Sequence, residues 1–111
     1  MELDMKTFQE LKDMSGADFI DELVNTFLED APSLVKEMRS ALRVNDADAF
    51  RRAAHSLKSN SATFGAHRLS GLAKELEMLG KENRLSEAEP RLGPLEDALH
   101  SVEAELRGLR Q

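Results

Sequence analysis

Residues 50–65 read FRRAAHSLKSNSATFG, and the periodicity of this stretch decides the fold. An α-helix turns by roughly 100° per residue. With Leu57 set at zero, Phe50, Ala53, Ala54, Asn60, Ser61 and Phe64 all fall within roughly 60° of it. That face is expected to be buried. His55 lies roughly 160° away, with Arg51, Arg52, Lys58, Ser59 and Ala62 beside it on the outer side. Gly65 then ends the helix, as a glycine does where the chain turns left-handed after the last helical residue.

The same helical spacing extends outward in both directions. Towards the N-terminus, Met5 to Met14 reads as a short helix with Phe8 and Leu11 on one face, interrupted at Ser15-Gly16. Ala17 to Asp30 is a stronger helix, with Phe19, Ile20, Leu23, Val24, Phe27 and Leu28 recurring at steps of three and four. Pro32 suits the first turn of a new helix, where its missing N–H costs nothing. That helix turns Leu34, Val35, Met38 and Leu42 inward and ends near Val44-Asn45. Asn45 and Asp46 are good caps for the next start, and Asp48 complements the helix dipole. Beyond Gly65, Ala66 to Glu82 carries Leu69, Leu72, Ala73, Leu76 and Leu79 along one stripe. Pro90 and Pro94 make Asn83 to Gly93 a loop or short helical turn. A last helix from Pro94 to about Leu109 turns Leu95, Ala98/Leu99, Val102, Leu106 and Leu109 inward. One-faced helices joined by short connections predict an all-α fold, an antiparallel four-helix bundle with a short extra N-terminal helix.

Composition agrees. The 111 residues suit a single domain spanning 1–111. The absence of Trp and Tyr, with only five Phe, disfavours a sandwich or barrel. The net charge of −6 argues against nucleic acid and against anionic lipid as the main partner. With no cysteine, disulfides, thiol chemistry and thiolate metal sites are excluded. No apolar run approaches the roughly 20 residues needed to cross a bilayer, and Met1 to Glu10 lacks the pattern of a secretory signal. No membrane insertion and a cytoplasmic location are expected.

His55 is the residue that breaks the apolar pattern. An exposed imidazole is free to act as a nucleophile. Ser59 and Ala62 are small, so a partner is able to approach closely. Arg51, Arg52 and Lys58 form a cationic rim suited to a phosphoryl group. A plain solvated helix face has the same composition, so the residues by themselves leave both readings open. His67, in the first turn of its helix, and His100, off the apolar stripe, read as surface histidines. A bundle di-metal site is disfavoured, because Glu96 stands four residues before His100 where a Glu-x-x-His pair requires three. No metal site is expected.

Ala54 to Ala66 closely resembles the signature of histidine phosphotransfer (HPt) domains, the phosphorelay carriers of two-component signalling. The pattern is His, any residue, an apolar residue, Lys, a small residue, and a glycine further on. Asp46 to Phe50 and Phe27 to Pro32 resemble flanking segments of the family, and the likeness runs from about Phe8 to Leu79. Ser59 stands where many members have glycine, and the Pro90/Pro94 pair departs from the usual last helix. The resemblance implies that His55 accepts a phosphoryl group from a receiver-domain aspartyl phosphate and passes it to another receiver. Lys58 would offset the phosphoryl charge. Arg51, Arg52, Ser59, Ala62 and the turn at Gly65 would let the receiver dock. It also implies a phosphocarrier and not an enzyme, with no cofactor of its own and Mg²⁺ supplied by the receiver. Response-regulator receiver domains would be the partners, with an attached or separate hybrid sensor histidine kinase, and the chain would be a monomer. The competing reading is an unphosphorylated interaction module that binds a receiver or kinase domain, which has no need of the His55/Lys58 pair. A third is the kinase-linked phosphotransfer domain of chemotaxis systems. That variant shows an acidic partner for the histidine and a following kinase chain, and neither is expected here.

Overall fold

Four positive-φ residues punctuate the chain: Gly16, Asn45, Gly65 and Asn83. Glycine and asparagine reach this backbone region at least cost, so each marks a helix end. In the computed structural model, which describes residues 2–110, the elements between these breaks are all helical. They are α1 (Met5–Ser15), α2 (Ala17–Arg43), α3 (Ala47–Thr63), α4 (His67–Lys81), a four-residue α5 (Leu85–Ala88) and α6 (Leu92–Leu109), with one 3₁₀ turn at Glu89–Arg91. Asp4 caps α1 through the amides of Lys6 and Thr7, and Asp46 caps α3 through the amide of Ala49 at 3.0 Å. Helices α2, α3, α4 and α6 close an antiparallel ring, and α1 lies against α2 and α3. The long axis of 41 Å matches α2 alone, since 27 residues at 1.5 Å each reach about 40 Å.

Two expectations are corrected in α2 and α6. No new helix begins at Pro32; the proline lies inside a single α2. The buried positions Ile20, Val24, Phe27, Ala31, Val35, Met38 and Ala41 keep one helical phase across it. Burial of that stripe, at about 1.5–3 kcal/mol for each large side chain, offsets the lost hydrogen bond and ring crowding that a mid-helix proline causes. The last helix starts at Leu92, two residues before Pro94, because the first turn of a helix tolerates proline. Phe19, expected inside, is 51% exposed. Ser61 is fully buried and donates to the Leu57 carbonyl at 2.7 Å, whereas Asn60 is only half-buried.

Phe50, Leu57, Met38, Leu69, Leu76, Leu95, Val102 and Leu106 are among the side chains sealed in the core. Phe64 joins α1 to it, packing edge-on against Phe27 at 5.4 Å and near Phe8 at 6.5 Å. The N-terminal segment is tied down beside it. The Asp4 amide donates to the Gly65 carbonyl at 2.9 Å, and the Glu105 carboxylate accepts from the amides of Glu2 and Leu3 at 2.6 and 3.1 Å. A second glycine sets the spacing of α3 and α4. A Cβ on Gly80 would lie 3.1 Å from Phe50 Cδ1 and 3.2 Å from Arg51 Cα, so the two helices approach closely there.

At Gly65 a Cβ would come within 2.9 Å of Thr7 Cβ and 3.0 Å of the Asp4 carbonyl, on backbone with φ +76°. Gly65→Ala is therefore expected to destabilise the chain by about 1–3 kcal/mol, read from urea unfolding. An unchanged midpoint would show that the start of α1 yields freely.

Candidate functional site

The outer face of α3 presents His55 with its side chain 55% exposed. Ser59 and Ala62 are exposed near it and add little bulk. On one flank runs α4, drawn close by Gly80. One turn before that glycine, Glu77 reaches across to α3 with both oxygens. Its Oε1 lies 2.7 Å from Lys58 Nζ, and its Oε2 lies 2.7 Å from His55 Nδ1. Burial pushes the Glu77 carboxyl up, but hydrogen bonds from Lys58 and His55, with their charges, outweigh it and hold the pKa below the ordinary value. Glu77 is thus a carboxylate and only accepts. Nδ1 of His55 must then carry a proton and donate, and in the neutral ring this leaves the lone pair on Nε2.

This arrangement overturns the expectation that the histidine has no acidic partner. A signal for it was present in the sequence. His55 stands ten residues before Gly65 and Glu77 twelve after it, so an antiparallel hairpin turning at Gly65 brings them nearly level. Glu77 looked like an ordinary charged residue beside Leu76, and only the register between helices singles it out.

The cations around His55 are all engaged. Lys58 pairs with Glu77, while Arg51 and Arg52 reach the two oxygens of Asp48 at 2.8 and 3.2 Å. Asp48 is held below the ordinary Asp value chiefly by the Arg51 hydrogen bond, with smaller contributions from the Arg51 and Arg52 charges. Gly65 is corrected as a docking residue. It is buried beneath Asp4 and Thr7, so its role is to seat α1. His67 lies apart, its Nε2 3.2 Å from Asp4 Oδ2 at the N-terminal strap, and His100 is exposed on α6. Among the described residues no three His, Cys, Asp or Glu side chains cluster as a metal would require, and no helix is long and apolar enough to cross a membrane.

The family model described as Hpt domain matches residues 22–105. Among solved structures, the chain is similar to histidine-containing phosphotransfer protein B (HptB) from Pseudomonas aeruginosa PAO1. The identity is 30% and the TM-score 0.93, with 99% of this chain and 95% of that one covered. It also shares its fold with the HPT domain from the Hpt sensor hybrid histidine kinase from Shewanella, at 22% identity and TM-score 0.79, covering 97% of this chain and 92% of that one. No curated protein matches significantly.

The lowered carboxyl of Glu77 fixes the sign of a pH effect. A depressed folded-state pKa contributes stability that is complete above the unfolded value, here 4.5, and is lost as pH falls through the folded value. Urea unfolding followed from about pH 6 to about pH 3 is expected to show a shallower acid loss for Glu77→Gln than for the parent chain. Parallel curves would mean that the carboxylate gains nothing from its two partners.

Proposed function

The chain belongs to the Hpt domain family, and on that premise we propose that Nε2 of His55 takes a phosphoryl group from a receiver-domain aspartyl phosphate and gives it to the aspartate of another receiver. A phosphotransfer carrier role in two-component signalling goes with the family, whose members work with receiver domains and histidine kinases. The observation that carries the finer reading is the Nδ1–carboxylate hydrogen bond, which presents a free lone pair among small, exposed neighbours.

In the transfer, the Nε2 lone pair bonds to phosphorus as the aspartyl P–O bond breaks, and the aspartate leaves as a carboxylate. The proton stays on Nδ1. The ring becomes an imidazolium whose charge faces Glu77, and the return step reverses each change. Phosphoryl transfer needs positioning and charge stabilisation more than covalent help. Lys58 supplies charge on this side; the receiver brings the Mg²⁺. Ser59 and Ala62 leave room for the approaching domain, and Arg51 and Arg52 border it. Glu77 acts through the imidazole and is a positioning residue. An unphosphorylated interaction module has no use for this His55–Glu77–Lys58 arrangement. The acidic partner does favour a second reading, in which a histidine kinase phosphorylates His55 directly.

Incubation with a labelled phospho-receiver is expected to give an acid-labile, relatively base-stable label. His55→Gln removes it and His67→Gln leaves it. Lys58→Ala and Glu77→Gln keep their helicity and slow transfer, the latter by about tenfold or more through loss of ring orientation. Label persisting on His55→Gln refutes the site. Label arriving from a kinase and ATP, with no receiver present, establishes the second reading.

A further inference from the structure

We infer that the receiver served by this chain meets it through an apolar surface bordered by lysines and arginines, seated in the groove between α2 and α3. This rests on the relay reading above.

Three adjoining hollows make up the groove. The largest, about 630 Å³, is floored by Leu34, Ala41, Ala49 and Ala53. A second, about 280 Å³, shares Leu34, Glu37 and Ser56 with it. The third, about 220 Å³, is floored by Leu23, Phe27 and Phe64 and shares Asp30 and Asn60 with the second. The groove therefore runs along the α2–α3 hairpin, and Ser56, the residue after His55, lines it. Exposed apolar side chains stand at its ends: Val44, 74% exposed, lines the largest hollow, and Phe19, 51% exposed, lies one turn before Leu23.

The two walls differ in charge. The α3 wall is small and mostly uncharged: Ser56, Asn60 and Thr63, with Arg52 already bound to Asp48. The α2 wall carries Asp30 and Glu37. Glu22, one turn before the lining residue Thr26, lies on the same helix face. All three are exposed, and none takes part in the ion pairs found among the described residues. Lys36 is the one lining cation outside those pairs. The groove thus offers unneutralised negative charge beside an apolar floor, in a chain whose net charge is −6. A second copy of the chain would bring the same acidic wall and be repelled. A cation-bordered apolar surface is complementary, and such complementarity acts on encounter rate and partner choice.

The test uses the full chain and a panel of purified receiver domains phosphorylated with acetyl phosphate. Half have Lys/Arg-rich surfaces around the phosphorylated aspartate, and half have Asp/Glu-rich ones. Basic-faced receivers are expected to label His55 roughly tenfold faster or more, with the advantage shrinking as salt is raised. The double substitution Asp30→Lys with Glu37→Lys reverses the preference, and Asp30→Asn with Glu37→Gln weakens it. Equal rates from both halves of the panel, or a preference untouched by the reversal while His55 still takes label, overturn the groove inference and leave the relay standing. Absence of label from every receiver overturns both.

Discussion

A single carboxylate joins α3 to α4 at the point where the chemistry is expected. Glu77 spends one oxygen on Lys58 and the other on His55, so two flexible side chains on one helix are fixed by one side chain on the next. This is possible because Gly80, one turn away, lets the α4 backbone approach Phe50 and Arg51. Even an alanine there would press on Phe50 and Arg51, which would have to give by a few tenths of an ångström. The packed interior and the exposed site are therefore one construction. Phe50 and Leu57 bury one face of α3, and their seating against α4 determines where the opposite face finds its acidic partner.

How much of this was legible in the sequence depends on whether the signal was local. The apolar stripe of α3, the exposure of His55 and the turn at Gly65 are properties of one helix and could be read from it. Pro32 was misread because its local signal, a helix start, competes with a longer one: the stripe from Ile20 to Ala41 never changes phase across it. Length of burial won over local preference. Glu77 was missed for a different reason. Nothing in α4 distinguishes it, and only the antiparallel register about Gly65 sets it level with His55. The docking role of Gly65 came from the family resemblance and not from its surroundings. Its positive φ and the closeness of Thr7 and Asp4 assign it to the seat of α1.

The charges also look different once the helices are assembled. From the sequence, Arg51, Arg52 and Lys58 form a basic rim in an acidic protein. In the fold Arg51 and Arg52 share Asp48 and Lys58 pairs with Glu77, while Asp30 and Glu37 line the neighbouring groove outside those ion pairs. The side of the chain that looked attractive to anions is largely neutralised at rest, whereas the groove beside it keeps carboxylates outside those ion pairs. If the groove seats the receiver, its long-range field would select what approaches, and the short-range cations would act on what has arrived.

That division suits a carrier that must give as readily as it takes. A lysine held free beside the imidazole would stabilise a resident phosphoryl group fully and would oppose its departure, just as uniform tight binding lowers one barrier by deepening the well before the next. With Lys58 paired to Glu77, a phosphoryl group arriving at His55, as proposed, would have to compete for that charge. The gain on arrival is reduced by the pair that is loosened, and the pair re-forms on departure. On the proposed relay, the imidazolium that transfer creates would keep the Nδ1 contact with Glu77 seen at rest. The carboxylate would thus act on both sides of the proposed exchange, withholding part of the lysine from the phosphoryl group and lending its charge to the ring. On the proposed relay, one shared side chain would thus temper both the gain on arrival and the cost of departure.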